Sequence, residues 1–379
     1  MNASLFLEYI DKYFRLVVGK ITEKFNDSKQ EQTLLHKSML TEEYSADLTW
    51  GATEINHSVV AADVVALDSS LPLKSRAKMG NATGKLPKLG LKMRKGEKLI
   101  SDINVMVARG TDEATIAAKI FDDTTKVIKS IDVRTEIMFL EGFSTGICLV
   151  DSDEENTGTG IRVDFGYKDE NKFICEGKKW GTTGETPQDD VQQLFDKANE
   201  DGNTILHVYM SKKYFDLFRH SEQGKLLVAN YNNVVITDKS LLPVPGRQAF
   251  LDALQDEYGA TFHYINSVFR VELADGTKKK VSPWKEANVV GVPAEVVGRL
   301  VYGTLAEETN PVAAVNYQKS GSHILVSKYS KTDPLEEFTA AQSLCLPVID
   351  GADSIYTLTA DTEPTAATGN SGTPDPDQG

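Results

Sequence analysis

Several stretches of this chain carry residue types and spacings that chemistry could use. Gly142-Phe143-Ser144-Thr145-Gly146 has the GxSxG pattern of serine hydrolases. That chemistry needs a strand, a sharp turn and then a helix, so that the hydroxyl stands exposed above a sheet. Here a helical pattern precedes and a strand pattern follows, and His207, His220, His263 and His323 stand in no recognisable triad context. The stretch reads as a helix-to-strand turn, with a cytoplasmic hydrolase using Ser144 as an alternative. Gly80 to Lys85 (GNATGK) is one residue short of a P-loop, and Leu86 stands where a Ser or Thr would hold magnesium. The six histidines show no HxxxH or HExxH spacing. Asp151, Asp153, Glu154 and Glu155 lack the 12-residue calcium-loop pattern and read as a solvated loop. No cofactor and no metal are expected.

The constellation that does stand out is basic. Lys74, Arg76, Lys78, Lys85, Lys88, Lys92, Arg94, Lys95 and Lys98 face a single nearby acid, Glu97, giving this stretch a local charge of +8 in a chain of net charge −14. Such a loop complements the rest of its own protein, so it reads as an arm that docks on neighbouring subunits. That contact would weaken as salt screens it. No Phe, Tyr or Trp lies between 74 and 98, so nucleic-acid bases would find no stacking platform there.

Composition narrows the class. The chain has 379 residues, 40% hydrophobic and 25% charged, with a pI near 5.0, enough for two domain-sized cores. Broad phosphate binding would ask for a basic protein. A nucleic acid would meet an acidic surface and touch it only loosely and non-specifically. Cys148, Cys175 and Cys345 are odd in number and form no CxxC pair, which fits buried free thiols in a reducing cytoplasm. The apolar opening from Leu5 to Phe25 is interrupted by Glu8, Asp11, Lys12, Arg15 and Lys20. It suits neither a membrane span nor a secretory signal.

The elements that must position these residues follow from periodicity. Residues 4–26 form an amphipathic helix with Ser4 at its cap and Leu5, Tyr9, Tyr13, Val17 and Ile21 as its apolar stripe. A weaker helix follows near Lys29 to Glu43. Residues 66–104 form an extended two-stranded protruding loop, because the spacing of Leu86, Leu89, Leu91 and Met93 is too loose for a solid strand. Thr111 caps a helix of about 45 Å ending at Gly142, with Ile116, Ile120, Val127, Ile131 and Met138 on one face. Strands are expected at 146–150 and 161–165, and a helix with Pro187 at its first position. A buried strand should cover 204–210, a helix 211–219, and a hairpin should turn at Asp275-Gly276. Residues 323–358 are strand-rich. The tail 362–379, without large apolar residues, should be flexible.

Two stretches go further. Val163-Asp164-Phe165-Gly166, then Asn171, Trp180 and Pro187-Gln188-Asp189-Asp190 form one; Asp333-Pro334-Leu335-Glu336-Glu337-Phe338-Thr339, Gln342-Ser343, Pro347 and Tyr356-Thr357-Leu358 form the other. In order and spacing both resemble the lambda-type tailed-phage major capsid proteins, the phage capsid protein E family. Gly291 and Arg299 to Gly303 fit the same pattern. The resemblance implies an α+β tailed-phage major capsid fold. Residues 1–65 would be the N-terminal arm and 66–104 the extended loop. Residues 105–185 would be the peripheral domain with its long spine helix, 186–328 the axial domain and 329–361 the peripheral return strand. It implies a head protein assembling into hexamers and pentamers of an icosahedral shell around double-stranded DNA. Partners would be itself, a scaffolding protein, a portal and a decoration protein. Its place would be the virion, after assembly in the host bacterial cytoplasm. A nanocompartment shell of the same fold is the alternative.

Overall fold

A computed structural model of the chain describes residues 2–26, 34–53, 79–150, 160–234, 242–273 and 276–362. Contacts divide the chain into two units. One gathers residues 1–168, 265–285 and 292–355; the other gathers 169–264, 286–291 and 356–379. Residues 265–285 and 292–328 go to the first unit, because the strand Gly298–Gly303 is hydrogen-bonded into that unit's sheet.

The first unit is a helix packed on a mixed sheet. Its axis is Glu113–Thr145, 33 residues or about 50 Å. Asp112 starts it, accepting from the backbone N–H groups of Ala114 and Thr115 at 3.0 Å each, so the cap falls one residue after Thr111. The stop is also later than expected. Gly142 lies inside the helix, and Gly146 ends it in the left-handed region at φ 78°. Gly142 is there for closeness: a Cβ would sit 2.6 Å from the Phe165 ring. Ile116, Ile120, Val127, Ile131 and Met138 are all buried. This stripe outweighs the β-branched residues that lower helix propensity.

The central strand of the sheet, Leu335–Ile349, is 15 residues long. One edge pairs with Ile324–Thr332. The other pairs first with Lys88–Lys95 and then, from Leu344 onward, with Gly298–Gly303. Leu40–Tyr44 adds a parallel edge strand beside Gly298–Gly303, and Asn316–Ser320 closes the far side.

Two expectations for the start of the chain are corrected. The first helix is Leu7–Asn26, and its buried face is Phe6, Ile10, Phe14, Val18 and Ile21. That is one residue round from the Tyr-containing stripe. The all-hydrocarbon set goes inward, while Tyr13 keeps its hydroxyl at the rim, donating to Glu113 at 2.6 Å. Among the described residues, 34–43, the region expected as a second helix holds a single turn, His36–Met39, before it becomes the edge strand.

The second unit carries a five-stranded sheet in the order Lys172–Ile174, Tyr356–Thr359, Asn288–Val292, His207–Ser211, Thr261–Ile265. Helices Pro187–Glu200, Lys212–His220, Glu222–Tyr231 and Arg247–Tyr258 belong with it. Val191, Leu194, Phe215, Phe218, Phe250 and Leu254 build its core. Ser211 caps its helix by accepting from the Tyr214 N–H at 3.3 Å.

Candidate subunit-docking site

Of the nine basic residues, Lys74, Arg76 and Lys78 lie outside the described residues. Lys85 ends the strand Met79–Lys85, which pairs antiparallel with Thr49–Thr53. The GNATGK stretch is thus extended β-structure and opens no helix. Lys88, Lys92, Arg94 and Lys95 lie on Lys88–Lys95, a strand of the large sheet where an extended two-stranded protruding loop was expected. Its mixed side chains satisfy two faces, and pairing to the long central strand overrides its weak alternation. Lys98 is exposed on a helix, Glu97–Ala108, that sequence reasoning folded into the loop. Ile100 and Ile103 are its buried residues and were its signal.

The two-residue period of the strand sorts these cations. Lys88, Lys92 and Arg94 point outward. Arg94 meets Glu336 at 2.7 Å, Lys88 lies 3.8 Å from Glu307, and Lys92 sits 5.1 Å above the Phe338 ring. Phe338 stacks on Tyr329. Lys95 points inward, is 6% exposed and is ion-paired with buried Asp123. It holds this subunit together and is unavailable to a neighbour, which corrects its assignment as a docking residue.

Beneath the strand lies a buried polar cluster. Lys328 is fully buried and donates to the Thr339 hydroxyl at 2.7 Å and the Ile120 carbonyl at 3.3 Å. Burial lowers its amine to about 8. Glu337 accepts from the Ser4 hydroxyl and, at 3.1 Å, from the Leu5 N–H. Burial raises its carboxyl above the ordinary value, against the pull of those bonds and of Lys328 and Lys95. Asn2 exchanges backbone hydrogen bonds with Ser330 at 2.9 and 3.0 Å. The start of the chain is thereby tied to strands made three hundred residues later. A second tie joins Glu136 on the long helix to His36, at 2.6 Å from its Nδ1 and 2.9 Å from its N–H. A third is Arg299, bidentate to Asp350 at 2.7 and 2.9 Å and bonded to Glu43. The Glu-Glu-Phe alternation of the long strand is now legible: Glu336 and Phe338 serve the outer face, Glu337 the inner.

The other singled-out residues are structural. Phe165 packs on Gly142 and lies 6.2 Å from the Trp50 ring. Asp190, at the start of Pro187–Glu200, is 0% exposed and accepts from the Trp180 indole N–H and the Glu176 N–H, both at 2.7 Å. Burial raises its carboxyl. Ser144 is 0% exposed inside the long helix, donating to the Glu141 carbonyl at 3.1 Å and accepting from the Lys285 N–H at 3.0 Å. Cys148, Cys175 and Cys345 are free and buried, and burial raises the Cys345 thiol to about 11. The loop 151–159 lies outside the described residues. Among the described residues, no group of three or more His, Cys, Asp or Glu could hold a metal. No described helix is long and apolar enough to cross a membrane.

A long helix laid on a sheet, with strands from both ends of the chain meeting on one central strand, defines the tailed-phage major capsid fold. The solved structures agree. A prophage protein of Escherichia coli CFT073 assigned as its capsid protein is 14% identical, covering 95% of this chain and 99% of its own, with a TM-score of 0.54. A phage-related protein of Bordetella bronchiseptica RB50 is 11% identical, covering 90% and 96%, with a TM-score of 0.53. No curated protein matches. The model of the phage major capsid protein E family matches residues 18–360. The chain belongs to that family, whose members build the phage head.

Proposed function

We propose that this protein assembles into hexamers and pentamers that close as an icosahedral shell around double-stranded DNA. The family match over residues 18–360 carries this reading. Closed shells arise from several heterologous contacts per subunit, each of them weak and effective in sum. The exposed cations Lys85, Lys88, Lys92, Arg94 and Lys98, with Lys74, Arg76 and Lys78, would steer one subunit onto the acidic body of the next. A scaffolding protein, a portal and a decoration protein would complete the head, assembled in the host bacterial cytoplasm. The net charge of −14 favours loose contact with packaged DNA.

Negative-stain electron microscopy of the purified protein tests this. Closed particles, rings or tubes that thin out at high salt are expected. Small globular particles alone, persisting on co-expression with the neighbouring phage genes, would overturn it.

A further inference from the structure

The chain neutralises many of its surface cations locally: Lys12 with Glu113, Lys126 with Asp122, Lys213 with Glu286, Lys319 with Glu308. The hairpin Phe269–Glu272/Lys278–Val281 departs from this habit. Phe269 and Val271 are buried and fix one face, while Arg270, Lys278 and Lys280 are exposed on the other. Arg270 lies directly opposite Lys280, a like-charge pairing that costs sheet stability. Glu272 is the one acid on this face, opposite Lys278, and none of the three cations is ion-paired with a described carboxylate.

The second unit carries the opposite case. Asp189 and Asp196 on Pro187–Glu200, and Glu257 on Arg247–Tyr258, are all exposed. Each is held by a neutral amide: Gln223 donates to Asp189 at 2.8 Å, Gln192 to Asp196 at 2.7 Å, and Gln188 to Glu257 at 3.3 Å. None is paired with a described cation. The amides orient the carboxylates without neutralising them. All three bear on one group, the Tyr258 hydroxyl, whose pKa is raised by burial first and then by Glu257, Asp189 and Asp196. Gln188 donates its N–H to Gln223 at 2.8 Å, which joins Asp189 and Glu257 in one hydrogen-bonded network, and Asp196 lies two turns from Asp189 on the same helix face, so the three form one negative patch.

We infer that Arg270, Lys278 and Lys280 of one copy dock on Asp189, Asp196 and Glu257 of a second copy. A hairpin face with more cations than acids and a patch of acids without cations, carried by the same chain, are complementary in sign. This contact is separate from the basic strand and rests on the shell-assembly reading above. Steering by such patches sets on-rate and partner choice and falls with ionic strength.

A charge swap tests it, with wild-type particles as the reference. R270E/K278E/K280E and D189K/D196K/E257K should each keep the wild-type circular-dichroism spectrum and melting temperature. Each should also lose particles by about tenfold or more, as like-charge juxtaposition dictates. The six-fold variant carrying both sets should recover them. Hairpin variants that assemble like the wild type, or a six-fold variant without recovery, would overturn the inference. Loss of retention on double-stranded DNA cellulose, with assembly intact, would overturn it in favour of a nucleic-acid contact. If the wild type itself forms no particles, the shell reading fails instead.

Discussion

At the scale of single residues, this protein uses buried charge as fastening. Lys95 and Asp123 are the clearest pair, both nearly inaccessible. Removing one partner of a buried pair leaves an uncompensated charge, at about 3–5 kcal/mol. Lys126, 3.3 Å from Asp123, keeps part of that charge compensated, so Lys95→Met should lower subunit stability by about 2–4 kcal/mol in urea unfolding. Lys92→Glu, on the exposed face of the same strand, should change stability by less than about 0.5 kcal/mol and reduce assembly instead. Asp216 offers a pH signature. Burial would raise it, but hydrogen bonds from Lys212, Arg219 and Arg247 bring it from 3.8 to about 2. An aspartate depressed in the folded state stabilises above its unfolded value and loses that contribution as pH falls through its folded one. Asp216→Asn should accordingly cost about 1–2 kcal/mol at pH 7, after discounting for solvent screening. That cost should shrink as pH falls from about 4 through about 2, to roughly 0.4 kcal/mol at pH 2 and nothing well below it, as thermal melts across that window would read. Asp190→Ala would strand two buried donors, the Trp180 indole and the Glu176 amide. About 2–5 kcal/mol should be lost, with a change in tryptophan emission reporting the freed indole.

At the scale of elements, close approach rather than propensity sets the limits. Gly142→Ala would push a methyl into Phe165, which is 2% exposed. A loss of about 1–3 kcal/mol is expected in denaturant titrations, as for overpacked cores. This contact explains why the helix runs past its apparent stop: a glycine needed for packing carries the same letter as one needed for a left-handed cap. The sequence made the long helix, the strand pair Phe269–Glu272/Lys278–Val281 and the Pro187 helix legible, because each has a strong local pattern; Asp275 of the expected turn lies outside the described residues. It hid the first helix's true face, because two adjacent apolar stripes compete and only the tyrosine hydroxyls break the tie. It hid the Lys88–Lys95 strand too, since pairing with residues 337–344 supplies what the local pattern lacks. Of the nine candidate cations, the inward turn of Lys95 could have been read from strand alternation only once a strand was assumed.

At the scale of the whole molecule, net charge and local patches pull in opposite directions. A chain of −14 repels its copies at long range, while the docking proposed for its basic stretches would attract at contact. Raising salt from about 0.05 to 0.5 M shortens the screening length several-fold. Light scattering should show slower assembly over that range if attraction governs the encounter, and faster assembly would assign control to net repulsion. The central strand has a consequence for synthesis. Leu335–Ile349 is made after each of the three strands it joins, Lys88–Lys95, Gly298–Gly303 and Ile324–Thr332. At about 5–20 residues per second on the ribosome, the long helix therefore waits on the order of ten seconds or more before its sheet can close. Through that interval the long helix lacks the strand it packs on, where Cys345 meets Thr135. The nascent chain is a natural client for a chaperone, and premature termination before residue 335 should yield aggregates rather than a smaller folded head protein.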